Sequence, residues 1–389
     1  MARLAGEWGY DGLEIASSGD RLDVARHDDA AYVAGRKEIL ERNGLQVWTI
    51  SNHLAWQAVC DDPIDERHRG ILSDRVWGNG DPEGVRQRAA DELKDTARMG
   101  AALGVSTVTG FIGSSIWKYV AMCPPATEAM VDAGYAEFAE RFSPILDLFE
   151  AVGVRFAHEV HPSEIAYGYW TTVKTLEAIG DRPSFGLNWD PSHMVWQDLD
   201  PVGFIWDFKD RIYHVHCKDT EKRLGNGRQS SHLPWADPRR DWDFIATGHG
   251  DVPWEDAFRM LNAIEYQGPL SVEWEDAGMD RLICAPEASA SCACPHTNLR
   301  RPASTQPSPP RAETSEGQAG MAALVLSGRP SANQRGKVSR RAAREPSPLP
   351  QAGGRASHPP TRRLSGLGWP AAGRAHKHGA APRRGTAPL

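Results

Sequence analysis

Cysteine is sparse, with six in 389 residues, and Cys60, Cys123, Cys217 and Cys284 stand in no C-x-x-C spacing, which removes the common zinc and dithiol redox motifs. No apolar run reaches the length of a membrane span, and the opening residues carry no signal peptide. The expectation is a soluble cytoplasmic protein of a reducing compartment. Nor does a G-x-G-x-x-G follow the first strand-like run, so a dinucleotide-binding sheet loses its main support.

Further absences divide the chain. From Ser289 onward there is no Ile, Phe, Tyr or Asp, Trp369 is the one aromatic residue, and half of the 28 prolines are gathered there. Such a segment cannot bury enough apolar area to offset its chain entropy, and 289–389 reads as a disordered tail. Fourteen Arg and two Lys against three Glu give this tail a net charge of about +13, leaving about -20 for residues 1–288 to reach the overall -7. A basic arm for polyanions is one reading of it. Its excess of Arg over Lys, without interleaved aromatics to stack on bases, fits out-of-frame or read-through translation of GC-rich DNA better. Cys292, Cys294 and His296 imitate a metal cluster by coincidence of position.

What is present in residues 1–288 is alternation. Short β-rich runs recur at intervals of about 30 residues: 11–16, 45–51, 105–111, 154–161, 184–190, 212–218 and 270–275. Helical stretches lie between them, such as Pro82 to Leu103, Tyr135 to Ala151, Thr171 to Ile179 and Trp254 to Tyr266, stopping near Gly104, Gly153, Gly180 and Gly268. Consecutive parallel βα units of this kind form either an open doubly wound sheet or an eight-fold barrel.

The run "RIYHVHCKDT" at 211–220 sharpens the choice, because strand side chains alternate faces. His214, His216 and Lys218 share one face; by the same rule so do Ala157, Glu159 and His161, then Gly186, Asn188 and Asp190, then Ser271, Glu273 and Glu275. The opposite faces are largely apolar and suit packing against helices. In a closed barrel these C-terminal strand ends converge on one mouth, where barrel enzymes keep their sites. Glu159, Asp190, His216 and Glu273 come from four successive strands, 31, 26 and 57 residues apart. Convergent acids need compensation, and a divalent cation is the simplest. Three carboxylates with one imidazole suit Mn²⁺, Mg²⁺ or Co²⁺, with Zn²⁺ also compatible.

The motifs "GYDGLEIA", "HEVHP", "NWDPSH", "HVHCKD", "GHGDVPW" and "LSVEWED" resemble, in order, those of the sugar phosphate isomerase/epimerase family with the xylose isomerase-like TIM barrel. The resemblance covers roughly residues 5–287. It implies a (β/α)8 barrel, metal ligands at Glu159, Asp190, His216 and Glu273, and substrate contacts at His193, His161 and Lys218. Glu14 is matched either to substrate contact or to structural pairing, and His214 to a hydrogen-bonded residue inside the barrel. Members of the family begin with a strand and most of a helix before "GYDGLEIA", whereas this chain starts within that helix. The expectation is therefore a barrel at 1–288 lacking its first strand, as a misassigned start or fragmentary gene model produces.

The implied chemistry is isomerisation or epimerisation of a sugar or sugar phosphate through a metal-stabilised enediolate, with Glu159 and Glu273 moving the proton. A dehydratase or eliminase acting on a keto-inositol or 3-keto-glycoside shares that intermediate. An endonuclease of the same superfamily is disfavoured, because a core near -20 repels phosphate backbones. An inactive barrel or sugar-binding protein is the alternative of a different class. The segment from Thr220 to Gly250 is expected to fold over the mouth, with Arg223, Arg228 or Arg239 holding a phosphate or carboxylate and Lys218 favouring an anionic substrate. Trp56, Trp117, Trp170 and Trp196 are candidates for a sugar-stacking wall. The expected partner is a small sugar, not a membrane or nucleic acid, with the oligomeric state open and a homodimer allowed.

Overall fold

The computed structural model describes residues 1–17, 20–120, 123–223, 233–292 and 322–325. Seven parallel strands follow the expected order: β1 Gly12–Ala16, β2 Gln46–Ser51, β3 Thr107–Gly110, β4 Arg155–Glu159, β5 Phe185–Trp189, β6 Ile212–Cys217 and, after a hairpin, β9 Leu270–Glu273. The hairpin is β7 Asp219–Lys222 paired antiparallel with β8 Trp242–Ile245, within the segment expected over the mouth. Each barrel strand is half or wholly buried, because both its faces are covered, one by helices and one by the barrel interior.

The barrel does not stay open at the missing stave. A short strand, β10 Ala322–Val325, lies parallel between β9 and β1, pairing Ala322 with Leu270, Val325 with Glu273 and Leu324 with Leu13. The expected gap is thus closed from the C-terminal side. The expected boundary at 288 also falls inside a helix, Arg281–Cys292. The remainder of the tail expected to be disordered, with Cys294, His296 and Trp369, lies outside the described residues.

Helix Pro82–Leu103 has the predicted bounds, for identifiable reasons. Asp81 accepts a hydrogen bond from the Gly84 amide at 2.8 Å, Pro82 supplies a preset φ in the first turn, and Gly104 ends the helix at φ +80°. Helix Glu128–Val152 likewise stops at Gly153, φ +73°. The expectation for Gly268 fails: after helix Trp254–Ala263 the left-handed residue is Glu265, φ +58°. Between helix and barrel, Phe138, Phe142, Phe149, Phe156 and Phe185 pack ring against ring at 5.3–6.1 Å. Trp56 joins this core, fully buried 6.0 Å from Phe156, and so is no part of a sugar-stacking wall.

Strand register sets polar residues of neighbouring strands side by side. Glu159 stands beside Asn188, Asn188 beside His214, and His216 beside Ser271. At Gly110, a Cβ would lie 2.5 Å from the Trp56 ring and 2.7 Å from the Asn52 carbonyl, so the close approach of β3 to the chain after β2 requires glycine.

Candidate metal centre

Four strand ends deliver the cluster. Glu159 and Glu273 are the last residues of β4 and β9, and His216 is the penultimate residue of β6. Asp190 follows β5 and caps helix Pro191–Val195, its Oδ1 accepting from the Ser192 amide at 2.9 Å and the Ser192 hydroxyl at 2.7 Å. One oxygen is thereby tied back and the other left over. Ligand atoms of Glu159, Asp190, His216 and Glu273 all lie within 4.8 Å of one another, and all four residues are buried. His216 Nδ1 stands 3.1 Å from both Glu159 Oε2 and Glu273 Oε2.

Two atoms in this cluster are polar, buried and without a hydrogen bond: Asp190 Oδ2 and His216 Nδ1. Charged groups stand close to both, at 3.1–3.8 Å, without completing a hydrogen bond. Glu159, Asp190, His216 and Glu273 would hold a divalent cation, and three carboxylates with one imidazole fit a metal of the oxygen-preferring kind.

Electrostatics hold the cluster tightly coupled. Burial raises the Glu159 carboxyl, but His53, His193 and His216 outweigh it and hold it well below the usual range. Glu273 is likewise opposed by burial and brought down to about 2 by Lys218 and His216. Asp190 goes the other way, raised by burial against the pull of His193 and Lys218. Burial lowers His216, yet Glu14 and Glu273 carry it well above an ordinary imidazole.

Glu14, from β1, is fully buried and bonds both histidines of β6: Oε2 lies 2.8 Å from His214 Nε2 and 3.1 Å from His216 Nε2. Of its two expected roles, the geometry is that of structural pairing, since it fixes the ring nitrogen of His216 opposite the cluster. His193 Nε2 is 3.3 Å from Glu159 Oε1 and 3.4 Å from Asp190 Oδ2. His161 stacks edge-on against His193, centroids 4.0 Å apart, and burial together with His193 and Lys218 pushes it well below the usual imidazole value. Lys218 Nζ meets Glu273 at 3.1 Å, Glu275 at 3.2 Å and Asp190 at 3.8 Å. Its charge is answered by these carboxylates.

Other expected anion holders are also occupied. Arg223 pairs with Glu221 at 3.0 Å and Arg239 with Asp237 at 2.6 Å; Arg228 lies outside the described residues. Trp196 lies flat on Trp242, 4.5 Å and 1° apart, and Trp117 packs edge-on against Tyr167 at 5.1 Å. Trp170 is exposed on the outer helix.

His53 is the residue that sequence reasoning missed. Its Nε2 is 2.8 Å from Glu159 Oε2, and Asn188 donates to the same oxygen at 2.9 Å. Carrying the alternation of β2 two residues past Ser51 reaches it, so the signal was present. His53, Phe111, His161, His193 and Phe244 then follow one another in ring contact around the cluster, at 4.0–5.4 Å between centroids.

A closed parallel βα barrel with acids and imidazoles buried at its C-terminal strand ends defines an enzyme-type α/β barrel. The chain belongs to the xylose isomerase-like TIM barrel family, whose model matches residues 2–294. It is 28% identical over 244 residues to the uncharacterised protein YfiH of Bacillus subtilis, covering 58% of this chain and 76% of that protein. It is 30% identical over 111 residues to an inosose dehydratase of Clostridium perfringens, a match spanning 27% of this chain and only 37% of that enzyme. Among solved structures, the fold is shared with a 3-keto-D-glucoside 4-epimerase from E. coli, at TM-score 0.52, 15% identity and coverage of 75% of this chain and 91% of that one. A xylose isomerase-like TIM barrel protein of Mycobacterium smegmatis in complex with magnesium also gives TM-score 0.52, at 15% identity and coverage of 75% and 85%. Among the described residues, no helix is long and apolar enough to cross a membrane.

Proposed function

We propose that this chain is a divalent-metal-dependent sugar isomerase or epimerase, which moves a proton at a carbon beside a carbonyl. The observation that carries the reading is the convergence of four buried ligand atoms within 4.8 Å, two of them otherwise unmet. Glu159, Asp190, His216 and Glu273 would hold Mn²⁺, Mg²⁺ or Co²⁺, and the ion would supply the Lewis acidity that polarises a carbonyl and its neighbouring hydroxyl.

The chain's own groups do the rest. Glu159 and Glu273 stand on β4 and β9, on two sides of His216, where one carboxylate removes a proton and the other returns it to the opposite face or the next carbon. His53 and Asn188 hold Glu159 Oε2, leaving Oε1 toward His193. His193 and His161 offer imidazole nitrogens to substrate oxygens, and Lys218 keeps Glu273 oriented.

Metal-stripped protein titrated with Mn²⁺ in a calorimeter is expected to bind one ion. Metal-loaded protein incubated with ketoses in deuterated water is expected to place deuterium beside the carbonyl without loss of water. Absence of metal binding would sink the reading and leave a non-catalytic barrel. Partial likeness to inosose dehydratase supports a second reading, dehydration of a keto-inositol, in which deuterium exchange is accompanied by loss of water.

A further inference from the structure

Lys218 is the buried ammonium at the centre of the mouth, and its surroundings bear on which substrate fits there. Its Nζ contacts Glu273, Glu275, Asp190 and the His193 ring nitrogen at 3.1–3.8 Å, and lies 4.3 Å over the face of Phe244. Acids, an imidazole and an aromatic ring thus stand around this cation. No arginine among the described residues forms an ion pair with Glu159, Asp190 or Glu273.

The balance of charge follows from these contacts. Glu14, Glu159, Asp190, Glu273 and Glu275 place five carboxylates in one connected network with a single ammonium. Adding a divalent ion, with neutral imidazoles, still leaves the acids in excess. A phosphate or carboxylate entering this network meets repulsion from the acids in excess, whereas hydroxyl groups donate to the same carboxylates and bond to the buried imidazole nitrogens. His161 Nδ1 and His193 Nδ1 are both buried without a hydrogen bond.

Glu275 is the member of this network that the proton-transfer chemistry does not use. It lies two residues past Glu273, the end of β9, its side chain 17% exposed, close enough to Lys218 to neutralise it without belonging to the cluster of four. We propose that Glu275 is a specificity-determining residue: by neutralising Lys218 it tunes the mouth to uncharged polyhydroxy ketones and against phosphorylated ones. This inference rests on the carbon-acid chemistry proposed above and names its substrate class.

The test uses Mn²⁺-loaded full-length protein in deuterated water. D-fructose and D-ribulose are paired with D-fructose 6-phosphate and D-ribulose 5-phosphate, and 2-keto-myo-inositol is added as a cyclic neutral ketone. NMR reads deuterium incorporation beside the carbonyl, and tryptophan fluorescence reads binding of each compound. The wild type is expected to bind and exchange the neutral member of a pair at least tenfold better. Glu275→Gln is expected to narrow that ratio by about tenfold through a gain on the phosphate, the size of one charge interaction at a partly hydrated site. Glu275→Asp, which keeps the charge, is expected to retain the preference. Equal or faster exchange of the phosphorylated member in the wild type overturns the inference while leaving the chemistry standing, and an unchanged ratio in Glu275→Gln removes Glu275 from the role. No exchange with any compound overturns the proposed chemistry, and this inference with it.

Discussion

Glu14 lies one ring away from the cluster of four, yet it sets one of its members. With its carboxylate against Nε2 of His216, the ring presents Nδ1 to the cluster, and the tautomer suited to a ligand is selected. Glu14→Gln is expected to weaken Mn²⁺ binding by about 10–100-fold with the circular dichroism unchanged, as calorimetric titration would read. Glu164 makes a separate prediction. It is buried, with Oε2 accepting from the amides of Ile112 and Gly113 at 2.8 and 2.5 Å, and burial with nearby Asp61 raises its carboxyl well above 4.5. Below the unfolded value both states are protonated and the stabilisation is complete. As pH rises above 4.5 and through the folded value, the unfolded state releases its proton first, so stability falls. Urea unfolding of metal-free protein at pH 5 and pH 8 is expected to show that loss, and Glu164→Gln to flatten it. At this scale the cluster was legible because strand parity is a strict rule: the same alternation that groups Glu159 with His161 turns His158 outward against Phe185. His53 escaped because it lies beyond the end of β2, where alternation was not extended, and the carboxylates around Lys218 were hidden because pairing across strands cannot be read from one strand alone.

Asp219 organises a whole element from a single side chain. Its Oδ1 accepts from the amides of Thr220 and Val252, and its Oδ2 from the amides of Gly248 and Gly250 and the Trp254 indole, at 2.8–3.1 Å. This explains physically why "HVHCKD" and "GHGDVPW" occur together: the second is wrapped on the acid that ends the first. Gly250 is held close, since a Cβ there would stand 2.2 Å from Asp219 Oδ1. Asp219→Ala strands five donors and is expected to destabilise the protein by about 3 kcal/mol or more, measured by chemical denaturation. Strand and helix positions were readable from hydrophobic period and caps, to within one or two residues at most ends. The turn after helix Trp254–Ala263 was not, because Glu265 takes a left-handed conformation usually given to glycine. The hairpin was equally hidden, because Asp219–Lys222 is as polar as a loop and its partner Trp242–Ile245 is only four residues long.

The barrel as a whole closes through β10, which abuts β9 at Glu273 and β1 just before Glu14. A tail whose composition averages to disorder conceals one short apolar stretch, Ala322–Val325, and averaging over about a hundred residues is why it was not seen. Protein ending at Cys292 is expected to lose this pairing, leaving two bare strand edges, a lower melting temperature and a tendency to aggregate. Because the lost strand flanks a ligand strand, Mn²⁺ affinity should fall with it, and calorimetry on the shortened protein checks both effects. Leu324→Pro, which deletes one ladder amide, is expected to reproduce the effect more mildly.

Among the described strands, that closing segment is the last to be made. A ribosome must pass residue 325 before the nascent barrel can shut, so β1 waits through about 300 further residues for one of its two neighbours.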